Sequence, residues 1–398
     1  MVIRPGRRMV ARETNEEHRV STPLELLFDL TFVVAVSRVA AELSHAIAGG
    51  HPGERLIGYL MVFFAIWWAW VNFTWFASAY DVDDVPYRLL TLVQMAGVLV
   101  LAAGVPAAFE QVNYTAVTIG YVIMRVAMVA QWMRAARNDP PRHATAMRYI
   151  IGTVAVQAGW LLRLALPQSA GAGFALLVIA ELAVPIWAER REQTSWHPQH
   201  IAERYGLFTI IVLGECVLAA TTAVGAQADG HLGGVELLVV AAGGLAMLFA
   251  LWWLYFLKPT GEALAQRRSL AFWWGYGHYG IFASTAALGA ALEVEAERAQ
   301  HAVEASDPLI GWAVAVPVAI FIALVWGLHA PLGAAPAQDA IPVLGCVVVV
   351  LAVPAVTLAG VPASWVVALI AAAVIVLLAF AGRDRIADQP SSSPGRKV

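Results

Sequence analysis

Side chains able to carry charge or a proton stand inside long apolar runs of this sequence. Glu25 and Asp29 are four residues apart, and Arg38 and Glu42 repeat that spacing. On a helix such pairs share one face. Arg125 and Glu181 each sit in the middle of an apolar window, as does His278. Glu203, Arg204 and Glu215 belong to one further run, with Glu215 about 18 Å beyond Glu203 along a helix. A charge at that depth costs about 2.5–3.5 kcal/mol even on lenient insertion scales, so each needs a partner or a task. Glu215, flanked by Ile210-Ile211-Val212-Leu213-Gly214 and Val217-Leu218, is the leading candidate. Such a carboxyl either pairs with Arg125 or Arg38, or binds a proton reversibly. With His278 it supplies the parts of a proton or cation relay. Glu25 and Asp29 stand where they would guard the mouth of a path. The structural alternative is a clamp, in which Arg125, Glu181 and Glu215 pair and fix helix packing.

Other patterns carry less. His197-x-x-His200-x-x-Glu203 has helical metal-ligand spacing, but Pro198 interrupts it and favours the start of an interfacial helix. Gly275-Tyr276-Gly277 follows Phe272-Trp273-Trp274 rather than the Thr-Val pair of a potassium filter. Trp67, Trp68, Trp70 and Trp75 offer surfaces for stacking on a ligand or anchoring at an interface. Asp81, Asp83 and Asp84, gathered with Glu25 and Asp29, would make an acidic cation site; a solvated acidic loop explains them more simply. No GxxxxGK[ST], HExxH or GxSxG occurs. The sequence calls for no metal or cofactor.

The elements that must position these residues follow from composition. The 398 residues are 60% hydrophobic and 13% charged, with mean hydropathy +0.69. Soluble domains are about 25% charged, so too little polar surface exists here to face water. Lipid is the expected partner. The net charge of −3 gives no basic footprint for nucleic acid. Windows long enough to cross a bilayer fall at roughly 24–48, 56–79, 87–108, 114–136, 145–166, 171–189, 200–224, 234–257, 268–293, 308–330, 340–360 and 362–381. An all-α, polytopic bundle of about twelve transmembrane helices is expected; the last two windows nearly merge, so eleven is the alternative. Arg134, Arg137, Arg142, Arg190, Arg191, Lys258, Arg267, Arg268, Arg383 and Arg385 fall in alternate segments, which places both termini in the cytoplasm. Residues 1–22 read as a charged arm leading into an uncleaved first span, and 382–398 as a disordered tail. Cys216 and Cys346 lie in apolar runs and read as small core residues.

The chain also repeats. Glu25-Leu-Leu-Phe-Asp-Leu-Thr31 opens the first window and Glu203-Arg-Tyr-Gly-Leu-Phe-Thr209 the seventh, with the same Glu-to-Thr spacing. The following helices carry Trp67-Trp68-Ala-Trp70 and Trp252-Trp253-Leu-Tyr255. An offset of six spans would set the two copies parallel, with repeats at 23–189 and 190–381, an arrangement found among secondary transporters.

Specific blocks resemble the bacterial low temperature requirement A family. They are Pro23-Leu-Glu-Leu-Leu-Phe-Asp-Leu30, Trp67-Trp68-Ala-Trp70-Val-Asn72-Phe73, Asp81-Val-Asp-Asp84-Val-Pro86-Tyr-Arg88, and Ala202-Glu-Arg-Tyr-Gly-Leu-Phe-Thr209 running into Leu213-Gly214-Glu215. Trp273 through Gly277-His278-Tyr279 is similar to a further block. The resemblance spans about residues 20–295. Two departures stand out: Leu257-Lys258 where an acidic residue is expected, and Cys216 where serine is expected. The resemblance implies a multi-pass bacterial membrane protein linked to growth in the cold, and no settled activity. The expected function is a secondary transporter or permease for a small molecule or ion, rather than an enzyme. The alternatives are a membrane-embedded enzyme acting on a lipid-linked substrate and a stress-response component without turnover.

Overall fold

The computed structural model describes residues 6–13, 16, 19–165, 171–228, 234–298, 303–333 and 340–387. Fourteen α-helices account for nearly all of them: α1 Pro23–Ala48, α2 Pro52–Tyr80, α3 Val85–Ala103, α4 Val105–Glu110, α5 Thr115–Asn138, α6 His143–Ala165, α7 Gly171–Ala188, α8 Pro198–Ala228, α9 Gly234–Tyr255, α10 Thr260–Gln266, α11 Ala271–Arg298, α12 Asp307–His329, α13 Ala340–Ala352 and α14 Ala363–Ala387. Short 3-10 turns precede α11 and follow α13, and the described residues contain no strand.

Eight helical stretches, among the described residues, are long and apolar enough to cross a membrane. They contain α2, α3, α5, α7, α9, α12, α13 with its 3-10 extension, and α14. The remaining long helices, α1, α6, α8 and α11, coincide with expected windows.

Their burial pattern is inverted relative to a soluble helix. On α1, Leu26, Leu30 and Val34 are exposed, while Glu25 and Asp29 are wholly buried. In this first part of α1 apolar residues face outward and the two carboxylates inward, as a lipid solvent requires, whereas further along Arg38 is exposed and Glu42 half-buried. The chain is a multi-pass membrane protein.

Contacts divide the chain into two compact units. The first comprises Met1–Ala46, His51–Val212 and Leu264–Arg268; the second comprises Ile47–Gly50, Leu213–Ala263 and Ser269–Val398. In the first, α3 and α5 meet backbone to backbone: a Cβ on Gly97 would lie 2.8 Å from the Gly120 carbonyl oxygen. Small residues at such crossings substitute close packing for the hydrophobic drive that lipid removes. The core of this unit is aromatic, with Trp67, Trp68 and Trp70 of α2 all buried. In the second unit, α8 packs on α11 so closely that a Cβ on Gly289 would fall 2.7 Å from the Glu215 Cβ.

The N-terminal arm lies against the end of α2 rather than extending freely. The Arg12 amide donates to the Ala79 carbonyl and Arg19 Nη2 to the Ala77 carbonyl, each at 2.9 Å. Both acceptors belong to the last turn of a helix, where cations are favoured; the Ala77 carbonyl also accepts from the Asp81 amide at 3.1 Å.

Candidate functional sites: two buried carboxylate centres

The Trp-Trp-Ala-Trp run on α2 sets up two centres. Residues two apart on a helix point to nearly opposite sides. Trp68 Nε1 donates to Glu181 Oε2 of α7 at 2.9 Å, and Trp70 Nε1 donates to Asp29 Oδ1 of α1 at 2.7 Å. The sequence showed these indoles as surfaces for stacking; their N–H groups hold the two carboxylates.

Glu181 is saturated. Besides Trp68, its Oε2 accepts from Arg125 Nη2 at 2.9 Å. Its Oε1 accepts from the Tyr121 hydroxyl at 2.8 Å, Gln157 Nε2 at 3.0 Å and Trp160 Nε1 at 3.2 Å. Five donors from α2, α5 and α6 meet one buried carboxylate of α7. One positive and one negative charge balance, and no lone pair is left for a proton or cation. This is the clamp foreseen for Arg125 and Glu181, without Glu215.

The second centre is differently balanced. Arg204 of α8 grips Asp29 through Nε at 3.1 Å and Nη2 at 2.6 Å. Its Nη1 lies 3.0 Å from Glu25 Oε1, which is also 3.2 Å from His200 Nε2. Glu25 Oε2 accepts from the Thr22 amide at 2.8 Å. All four side chains have no exposed surface. The contacts at Glu25 Oε1 are close but poorly aligned: that oxygen, Arg204 Nη1 and both ring nitrogens of His200 lack a hydrogen bond of good geometry. Among these four groups two carboxylates face one guanidinium, an excess negative charge that buried Arg19, within electrostatic reach of Glu25, offsets in part. Such a charge imbalance in a buried place is what a proton or small cation would relieve.

Of the remaining candidates, Glu203 accepts from the Ser21 amide at 3.2 Å and is only half-buried. Glu215 is half-buried on α8 where that helix crosses α11, and Arg125, weighed as its partner, is committed to Glu181. His278 is fully buried, with Nδ1 2.7 Å from the Trp274 carbonyl and Nε2 2.9 Å from the Tyr255 hydroxyl. The carbonyl can only accept, so Nδ1 carries the proton and Nε2 accepts from tyrosine. His329 repeats the arrangement with the Val325 carbonyl at 2.6 Å and the Thr260 hydroxyl at 3.1 Å. The His197–His200–Glu203 spacing makes no metal site: no group of three potential ligands occurs among the described residues.

The acidic loop between α2 and α3 is not solvated, as sequence reasoning had it, apart from Asp83. Asp84 is buried and caps α3, accepting from the Tyr87 amide at 2.9 Å, the Arg7 amide at 2.9 Å and Arg134 Nη2 at 2.7 Å. Burial alone would raise its pKa, but these donors hold it below the usual carboxylate range. Asp81 lies 3.5 Å from Arg12 and 4.0 Å from Arg19. Burial, reinforced by the nearby charge of Glu25, pushes Asp81 up to about 6 against the pull of those arginines. Asp83 pairs with Arg88 at 2.7 Å on the surface. The signal for the arm's role lay in Arg7, Arg12 and Arg19, which the sequence showed only as part of a charged arm leading into the first span.

A family model described as bacterial low temperature requirement A protein matches residues 20–380. An uncharacterized protein of Rhizobium meliloti (strain 1021) is 28% identical over 255 residues, which cover 62% of this chain. The match spans 60% of that relative's length.

Proposed function

The chain belongs to the bacterial low temperature requirement A family, and with that architecture as premise we propose that it is a secondary transporter or permease coupled to a proton or small cation. The observation that carries this reading is the centre formed by Glu25, Asp29, His200 and Arg204, buried and with two carboxylates facing one guanidinium. Arg204 orients both carboxylates; the Glu25–His200 pair takes up and releases the coupling ion. Glu215, further along α8, contributes a second acidic position on the same helix, and His278 with Tyr255 a neutral polar one.

In the same reading α1, α6, α8 and α11 join the eight apolar stretches as spans, making twelve. The chain lies in the plasma membrane with both termini in the cytoplasm. Residues 23–189 and 190–381 form parallel repeats of six spans each. Support comes from Thr31 and Thr209, equivalent in the two copies, whose hydroxyls donate to the Leu27 and Tyr205 carbonyls four residues earlier at 2.9 and 2.8 Å. Tyr255, which replaces Trp70 in the second copy, likewise turns a polar atom inward, to His278. The separate arginine partners of Asp81, Asp83 and Asp84 weigh against a metal-dependent enzyme at this loop.

Capacitive currents from purified protein in liposomes on a solid-supported membrane test the proposal. Steps of pH, sodium and potassium should evoke a current in the wild type that Glu25→Gln loses while its folded yield stays near normal. Glu215→Gln, run alongside, should also lose coupling. A folded wild type silent to every step, with no ion or solute flux in the same liposomes, overturns it.

A further inference from the structure

A small cleft opens among α2, α5, α6 and α7 of the first unit. Phe64, Trp160 and Phe174 supply apolar wall, and Tyr114, Tyr121 and Arg163 the polar part. Two walls are fixed from behind, because the Tyr121 hydroxyl and Trp160 Nε1 both donate to Glu181. The clamp thus pre-forms the pocket, and a ligand entering it orders little.

Arg163 gives the pocket its chemistry. Its guanidinium carbon lies 5.6 Å from the ring centres of both Tyr114 and Phe174. Its Nε and Nη2 are buried with no acceptor among the described residues. Rings satisfy the faces of a guanidinium but not its edge, and an unmet buried donor on a charged group is costly. Two adjacent N–H groups on one edge match the two oxygens of a carboxylate or phosphate.

We propose that this pocket binds an organic anion, its head paired with the Arg163 edge and its apolar body lying against Phe64, Phe174 and Trp160. A fatty acid and the head region of an acidic phospholipid share that chemistry. The site stands apart from the Glu25–Asp29 centre, so binding here does not depend on the transport reading.

The probe is radiolabelled octanoate, measured at equilibrium on the protein in phosphatidylcholine nanodiscs, with empty nanodiscs subtracted. Saturable binding should be displaced by unlabelled octanoate and not by octanol. Arg163→Gln should weaken it at least ten-fold, and Ala65→Phe, which fills the pocket from α2, should abolish it. Loss of octanoate binding when phosphatidylglycerol is included assigns the site to lipid heads; retention assigns it to soluble anions. Wild-type binding in folded Arg163→Gln, or equal displacement by octanol, overturns the proposal.

Discussion

The two carboxylate centres are built by neighbouring tryptophans of one helix, yet they differ in what they leave undone. At Glu181 five aligned donors meet one carboxylate, and charge is balanced by Arg125. At Glu25 and Asp29 a single arginine serves two acids, and the histidine beside them stands 3.2 Å away without good hydrogen-bond geometry. Burial does not distinguish the centres, since both are closed to solvent. Nor do unmet donors, because Nε and Nη1 of Arg125 lack a hydrogen bond of good geometry as Nη1 of Arg204 does. The centres differ in charge: one acid to one arginine at Glu181, two acids to one arginine at Glu25 and Asp29. The proposed transport role goes to the second, and helix packing to the first.

The sharpest way to break this comparison is to remove Glu181. Glu181→Leu strands Arg125 and four further donors, and should cost about 3–5 kcal/mol, read as a collapse of thermal stability in detergent. Adding Arg125→Met should return part of it, because the uncompensated charge is then gone as well. If Glu181→Leu unfolds like wild type, the clamp is not a clamp.

A smaller effect belongs to the loop beneath the second centre. Asp81 has its pKa raised to about 6 by burial, above the unfolded value of about 3.9. The folded state therefore favours the protonated form. Its contribution, at most about 3 kcal/mol, is complete below about pH 4 and disappears as pH rises through about 6. Asp81→Asn should flatten the dependence of unfolding temperature on pH between those values. A slope unchanged in the variant would remove Asp81 from the account.

The two indoles separate the centres more finely. Trp68→Phe and Trp70→Phe each delete one donor and should cost about 1–2 kcal/mol. Only Trp70→Phe, which loosens Asp29, should also move the pH profile of the current. Equal profiles would mean that the centres are not functionally distinct. The smallest change is expected from Arg88→Gln, whose surface pairing with Asp83 is screened by solvent. It serves as the control for any substitution near the loop.

Much of the architecture is legible in the sequence because lipid imposes a simple rule. Apolar windows of sufficient length locate the long helices, and a charge interrupting one marks an inward-facing position. Asp29, Glu25, Arg125, Glu181 and His278 were found in that way, and all are buried. Partner choice was not legible. It depends on helix rotation and crossing, which apolar windows do not encode: Arg125 could be matched with Glu215 as readily as with Glu181. His200 was read as a weak metal ligand because its spacing to His197 and Glu203 is visible in the chain, whereas its contact with Glu25 joins residues 175 positions apart. Arg163 lay unremarked at the end of a window, since cavities have no sequence signal of their own.

The most direct test of the account sets Glu25→Gln beside Glu181→Gln in liposomes at equal amounts of folded protein and records the current after a pH jump. The account predicts that Glu25→Gln folds normally and is silent, while whatever Glu181→Gln folds at all carries a current with the wild-type pH profile. A wild-type current from Glu25→Gln, or a current abolished in folded Glu181→Gln alone, would contradict it.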